Sequence, residues 1–303
     1  MPRRIWLCAD YSQAEARVVA WAGPVPTLRD LFQRGDDVHL YVARHIAKHI
    51  QDNHIQMPEV PMPLADGTTV KQRIFAWKPW DQLTADDHER YVSKRTVHAN
   101  NYGMGKTKFA VITGLPISTA ETVQKIYFIL FPEVQTGYQA WIDSLLNSRT
   151  RTIVVPQGFR RVFYDAAGPE LSRAGYAFYP QTTVGLLLVD TLTEVCEVFA
   201  KDLGQTWITN PIDPDVLLRA GYNVRLQMHD SLAIALDEDP GLIADVATTV
   251  KNIGERPLVI RNPKDQIDML SIPMDFKVGY TIKEKQPWED DHPDYLRKYV
   301  IPR

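Results

Sequence analysis

The chain has 303 residues, 45% hydrophobic and 23% charged, enough to bury one large core or two ordinary ones and unlike a disordered or fibrous polypeptide. Its formal charge is −3, from 34 Lys and Arg against 37 Asp and Glu, so no global basic field exists and any phosphate-binding surface must be local. Two cysteines, Cys8 and Cys196, exclude a disulfide framework and a zinc finger and fit a reducing, cytoplasmic setting. The longest conspicuous apolar stretch, Val184 to Val189, falls far short of the ~20 residues that span a bilayer, and the run from Ile5 to Ala9 is too short for a signal peptide.

In chain order, residues 5 to 10 read as a buried strand ending in Asp10, followed by a helix from Gln13 to about Ala22 that Gly23-Pro24 closes. A second helix is expected from Asp37 to His49. Prolines 58, 61 and 63 with Asp66-Gly67 mark a loop or inserted hairpin from Gln56 to Lys71. A polar helix starts at a Thr84 cap and ends near Gly103. Further helices are expected from a Ser118 cap to Leu130 and from Glu133 to Leu146. Ile153 to Tyr164 reads as a hairpin around Gln157-Gly158, and Leu171 to Lys201 as a long helix disturbed at Pro180. After a turn from Asn210 to Gly221, Val224 to Met228 and Leu232 to Leu236 flank His229-Asp230 as a second hairpin. Asp239 to Ile253 is helical, and Ile272 to Val278 is a strand before a charged tail. The class is α+β, with no internal repeat.

Two aspartates sit where carboxylates are costly unless they meet solvent, a partner or a cation: Asp10 at a strand end and Asp230 at a hairpin turn. Brought together they would repel, and hard divalent cations would hold them, the arrangement of two-metal phosphoryl chemistry. Sequence spacing alone does not say that positions 10 and 230 meet. Lys94, His98 and Tyr102 recur every four residues, with Arg95 beside them, and so share one helix face able to line a triphosphate and then a base or sugar. Gly105-Lys106-Thr107 matches only the end of a P-loop, since Asn100 stands at the first required glycine. His45 and His49 lie one turn apart without the glutamate of the zinc-hydrolase motif, and read as a solvated helix face.

These residues resemble family A DNA polymerases, the bacterial polymerase I type. Asp10-Tyr11-Ser12-Gln13-Ala14-Glu15-Ala16-Arg17 is similar to motif A, Lys94 through Gly103 to motif B, and Gln227-Met228-His229-Asp230 to motif C. The spacers agree: Gly35 to His39, Tyr127-Phe128 with Phe131 to Val134, Gly158 to Arg161, the Arg173/Gln181 separation, and Ile272 to Gly279 each resemble the corresponding family segment. The resemblance implies template-directed DNA synthesis, with Asp10, Asp230 and the Tyr11 carbonyl holding two Mg²⁺ ions for which Mn²⁺ can substitute. It implies dNTP contacts from Gln13, Glu15, Lys94, His98, Tyr102 and His39, with Glu15 as the steric gate against a ribose 2′-OH. Primer–template contacts are implied for Arg160, Arg161, Arg173, Gln181, Gln227 and His229. The implied subdomains are palm over 1–40, fingers over 41–150 with an insertion at about 51–82, and palm again over 151–303.

Departures from the pattern carry their own expectations. His98 stands where the family has the lysine proposed to protonate departing pyrophosphate, and Lys94 where it has arginine. Lys106 replaces the family's usual tyrosine, and Ser231 replaces the acid that commonly follows Asp230. The tyrosine at 102 implies ready use of dideoxynucleotides. Because motif A begins nine residues after Met1, the resemblance further implies the thumbless C-terminal half of a split viral polymerase. A separate N-terminal chain would supply the thumb and any 3′-5′ exonuclease. The rival reading is a non-catalytic, polymerase-like DNA-binding or scaffold subunit.

Overall fold

The computed structural model describes residues 4–54, 59–63, 69–73, 78–202, 222–282 and 286–287. The expected turn at 210–221 and the tail beyond 287 lie outside the described residues. The strands are β1 (Arg4–Tyr11), β2 (Glu59–Pro63), β3 (Thr69–Arg73), β4 (Thr152–Val154), β5 (Arg160–Val162), β6 (Tyr222–Met228), β7 (Ser231–Asp237), β8 (Leu258–Arg261), β9 (Ile267–Leu270), β10 (Met274–Gly279) and β11 (Gln286–Pro287). The helices are α1 (Ala14–Ala22), α2 (Pro26–Gln33), α3 (Val38–Asp52), α4 (His88–Asn101), α5 (Lys106–Thr113), α6 (Ile117–Leu130), α7 (Ala140–Leu146), α8 (Pro169–Asp202) and α9 (Pro240–Gly254). The α+β class holds, and the strand pairings are antiparallel.

The chain divides into two compact units. One comprises residues 1–14, 181–259 and 269–303, the other residues 15–180 and 260–268.

The first unit is built on a sheet in the order β11-β10-β1-β7-β6. On β1, Ile5, Leu7, Ala9 and Tyr11 are buried at the period of two that puts them on one face. The distal half of α8 answers with Val184, Leu188, Thr191 and Val195, and α9 with Ile243, Val246, Ala247 and Val250, each set a buried stripe at helical spacing. Fully burying side chains of this size contributes about 1.5–3 kcal/mol apiece. The Tyr11 hydroxyl fixes the contact by donating to the Gly254 carbonyl at 2.9 Å and bonding Thr191 Oγ1 at 2.8 Å. Burial pushes that phenol up to about 12.

The second unit is mainly helical. Asp37 caps α3 by accepting from the backbone of His39 and Leu40, at 2.9 and 3.1 Å, and also takes Arg90 Nε at 2.6 Å. Helix α4 begins three residues later than expected, with Asp87 rather than Thr84 at its N-cap, and the Asp87 carboxylate instead holds the Thr84 backbone and hydroxyl. Helix α6 starts behind Pro116, so Ser118 lies inside it rather than capping it. The uniform helix expected over 133–146 is a π-helical stretch, Val134–Gln139, running into α7. Gly23 and Gly137 touch backbone to backbone there, leaving no space for a Cβ on either. The inserted segment forms the β2–β3 hairpin, with Pro61 opposite Lys71. Among the described residues no helix is long and apolar enough to cross a membrane.

Candidate active site

The site residues of the first unit gather at one end of its sheet. Asp10 is the penultimate residue of β1, opposite Ser231 on β7 and opposite Asp275 on β10. The β6–β7 turn consists of His229 and Asp230, with His229 in the left-handed region at φ 49°. Few residues other than glycine hold that conformation, and such positions concentrate at functional sites. The Ser231 hydroxyl closes the turn onto the Met228 carbonyl at 3.0 Å. The Tyr11 N–H donates to the Asp230 carbonyl at 3.0 Å. Positions 219 residues apart in sequence therefore share one backbone hydrogen bond, and both aspartates are half-buried. Asp275 escaped the sequence reading. Its only signal is the register that sets it across from Asp10, exposed, in the row where Ser231 withholds an acid.

The donor set suits a hard cation. Two carboxylates with a backbone carbonyl are what Mg²⁺ takes when substrate phosphates and water complete its octahedron. Among the described residues no group of three or more His, Cys, Asp or Glu forms a cage. The zinc alternative likewise finds no cluster: His45 Nδ1 bonds the Tyr41 carbonyl at 2.9 Å, and His49 pairs with Asn53. Gln227 and His229 are exposed on and beside β6, and Gln181 is exposed on α8.

In the second unit, α4 lines a cavity of about 750 Å³ with Arg90, Tyr91, Lys94, Arg95, His98 and Tyr102, a volume fit for a nucleotide-sized ligand. The four-residue spacing does put Lys94, His98 and Tyr102 on one wall, although the helix ends at Asn101 and Tyr102 is its C-cap. Lys94 is exposed. Arg95 is committed elsewhere, to the Ile112 carbonyl and to the Tyr91 hydroxyl at 2.6 Å.

Glu15, in the first turn of α1, meets this wall. Its Oε2 accepts from the Tyr102 hydroxyl and lies 3.1 Å from His98 Nδ1. Burial by itself would raise the Glu15 carboxyl, but hydrogen bonds from His98 and Tyr102, with the charges of His98 and Lys94, outweigh it and hold the group below its ordinary value. His39, expected to touch nucleotide, is only 2% exposed, its ring centroid 6.0 Å from that of His98. Burial first, and then the neighbouring His98, pushes it down to about 3. It is therefore a neutral ring at neutral pH, and its Nδ1 has no hydrogen-bond partner among the described residues.

Of the remaining expected contacts, Arg160, Arg161 and Arg173 lie on this unit and Gln13 on the other. Arg160 and Arg161 are exposed on β5, and Arg161 lies over the Phe163 ring at 4.6 Å. Arg173 is paired with Glu170 within α8. Gln13 stands just before α1 with φ 51° and a buried, unpartnered Oε1 among the described residues.

No protein-family model matches the chain. DNA polymerase I of Deinococcus radiodurans is 22% identical over 258 residues, which cover 85% of this chain and 22% of the relative. Among solved structures, the POL domain of Pol1 from M. smegmatis, in complex with DNA primer-template and dNTP, superposes with a TM-score of 0.61 at 19% identity, over 91% of this chain and 39% of that one. The chain thus spans well under half the length of either similar protein. At these identities the likeness establishes the fold, and the chain shares the α+β architecture of a polymerase I POL domain.

Proposed function

We propose that this chain carries out template-directed DNA synthesis, transferring a nucleotidyl group from a dNTP to a primer 3′-OH. The observation that carries the reading is the junction of β1 with the β6–β7 turn, where Tyr11 bonds Asp230 and so sets the motif A and motif C aspartates side by side. Its support is the fold shared with a domain whose solved complex holds primer-template and dNTP.

In this reading Asp10, Asp230 and the Tyr11 carbonyl hold two Mg²⁺ ions, which supply charge stabilisation to the attacking and leaving oxygens when bound. Lys94 binds triphosphate, and Glu15 with Tyr102 closes the space where a 2′-OH would sit. His98 faces the departing pyrophosphate. Gln13 and His39 support the nucleotide side, while Arg160, Arg161, Arg173, Gln181, Gln227 and His229 serve the primer–template. Glu15, His39, Lys94, His98 and Tyr102 lie on one compact unit, and Gln13 and the two aspartates on the other.

Primer extension tests this. The wild-type chain is expected to extend a primed template with Mg²⁺, and Asp10→Ala or Asp230→Ala to lower the rate by at least about a hundredfold, with circular dichroism unchanged. Absence of extension by the folded wild type, alongside retained DNA binding, would favour the scaffold reading.

A further inference from the structure

An imidazole differs from the lysine expected at position 98 in having two nitrogens, so whatever engages one decides what the other can do. Here Nδ1 faces a carboxylate, 3.1 Å from Glu15 Oε2, and the same oxygen accepts the Tyr102 hydroxyl. The other charged and titratable neighbours are few. His39 on α3 is buried and neutral, and Lys94 lies one turn back on α4. Asp37 is occupied by Arg90 and by the start of α3. Glu15 is thus the anion that His98 meets.

We propose that Glu15 is a positioning residue for His98: it accepts the Nδ1–H, fixes the ring, and leaves Nε2 as the nitrogen available to the nucleotide cavity. The side chain that screens the sugar thereby also readies the proton donor, so that exclusion of a 2′-OH and protonation of the leaving group depend on one carboxylate. The transfer step rests on the polymerase reading above, whereas the Glu15–His98 contact does not. In that step the primer 3′-oxygen, losing its proton to solvent, bonds to the α-phosphorus. The bridging P–O bond breaks and its electron pair leaves with pyrophosphate. Nε2–H of the imidazolium passes its proton to that oxygen, and the neutral ring regains one from solvent.

Two bulk-preserving substitutions separate charge from shape. Glu15→Leu removes the acceptor, and Glu15→Gln keeps an acceptor without charge. Long-range ¹H–¹⁵N spectra of the intact chain, with His98 assigned through His98→Gln, are expected to show the neutral ring as the Nδ1–H tautomer in the wild type. Glu15→Leu should lose that tautomer in favour of Nε2–H. In primer extension, Glu15→Gln is expected to shift the alkaline limb of the pH–rate profile toward acid. Its rate at pH 8.5 should fall about tenfold further than at pH 6.5, while preference for dNTP over rNTP is kept. An Nε2–H tautomer in the wild type, or an alkaline limb that Glu15→Gln does not move, overturns the proposal. A wild type that shows the Nδ1–H tautomer yet extends no primer removes the polymerase reading and leaves the positioning contact standing.

Discussion

His39 shows how burial, which the sequence does not reveal, sets the charge state of a candidate side chain. The sequence marks it as a nucleotide contact, but burial makes it a neutral ring whose ionisation the fold opposes. The unfolded chain takes up that proton near the ordinary histidine value of 6.5 and the folded chain only near 3, so the stability this residue confers is complete above pH 6.5 and is lost as the pH falls below it. The expected loss is on the order of 2 kcal/mol between pH 7 and pH 5. Urea denaturation across that range checks it: His39→Gln should flatten the slope, whatever it does to stability at pH 7. Glu15 runs in the same direction over a more acidic window, since its depressed carboxyl stabilises the fold above the ordinary carboxylate value and ceases to do so as the pH drops through its folded one. Neither environment could be read from the chain, because residues 15, 39 and 98 become neighbours only through the packing of three helices.

Among the elements, strands with a two-residue alternation and helices with an apolar stripe were readable: β1, β6, β7, α3, α8 and α9 lie within a few residues of expectation. Besides the two-residue β11, four elements escaped. Helix α2 is only eight residues long, though Pro26 at its start and buried Leu28, Leu31 and Phe32 were its signals. Helix α5 is equally short, and β8 and β9 have four residues each. Short elements carry little periodicity, and tertiary contact decides them. The π-helical stretch before α7 illustrates this. Local propensity favours a plain helix over 133–146, but Gly137 packs against the Gly23 carbonyl while Tyr138 reaches the Tyr176 carbonyl at 2.6 Å. A Cβ at Gly23 would collide with the backbone and Cβ of Tyr138. Gly23→Ala is therefore expected to destabilise the protein by about 2–3 kcal/mol, read as a lower urea midpoint. An unchanged midpoint would mean that the close approach is not needed.

For the molecule as a whole, a net charge of −3 leaves duplex binding to local basic groups such as Arg160 and Arg161 on their exposed strand. Affinity of this chain for primer–template should accordingly be weak and fall steeply with salt, the logarithmic slope shrinking by about one for each phosphate-contacting arginine removed. Fluorescence anisotropy of a labelled duplex over a salt series measures this. Tight, salt-resistant binding by this chain would contradict that expectation. The sequence by itself determined what is local: strand and helix periods, the His229-Asp230 turn, the stripe on α4, and the residue types in three ordered motifs. Only the tertiary structure decided that Asp10 and Asp230 adjoin, that Asp275 shares their row, and that Glu15 holds both His98 and Tyr102. The reason is physical. Strand register and helix packing are set by burial of faces that lie far apart along the chain, and a one-residue slip would turn each of these polar side chains away from its partners.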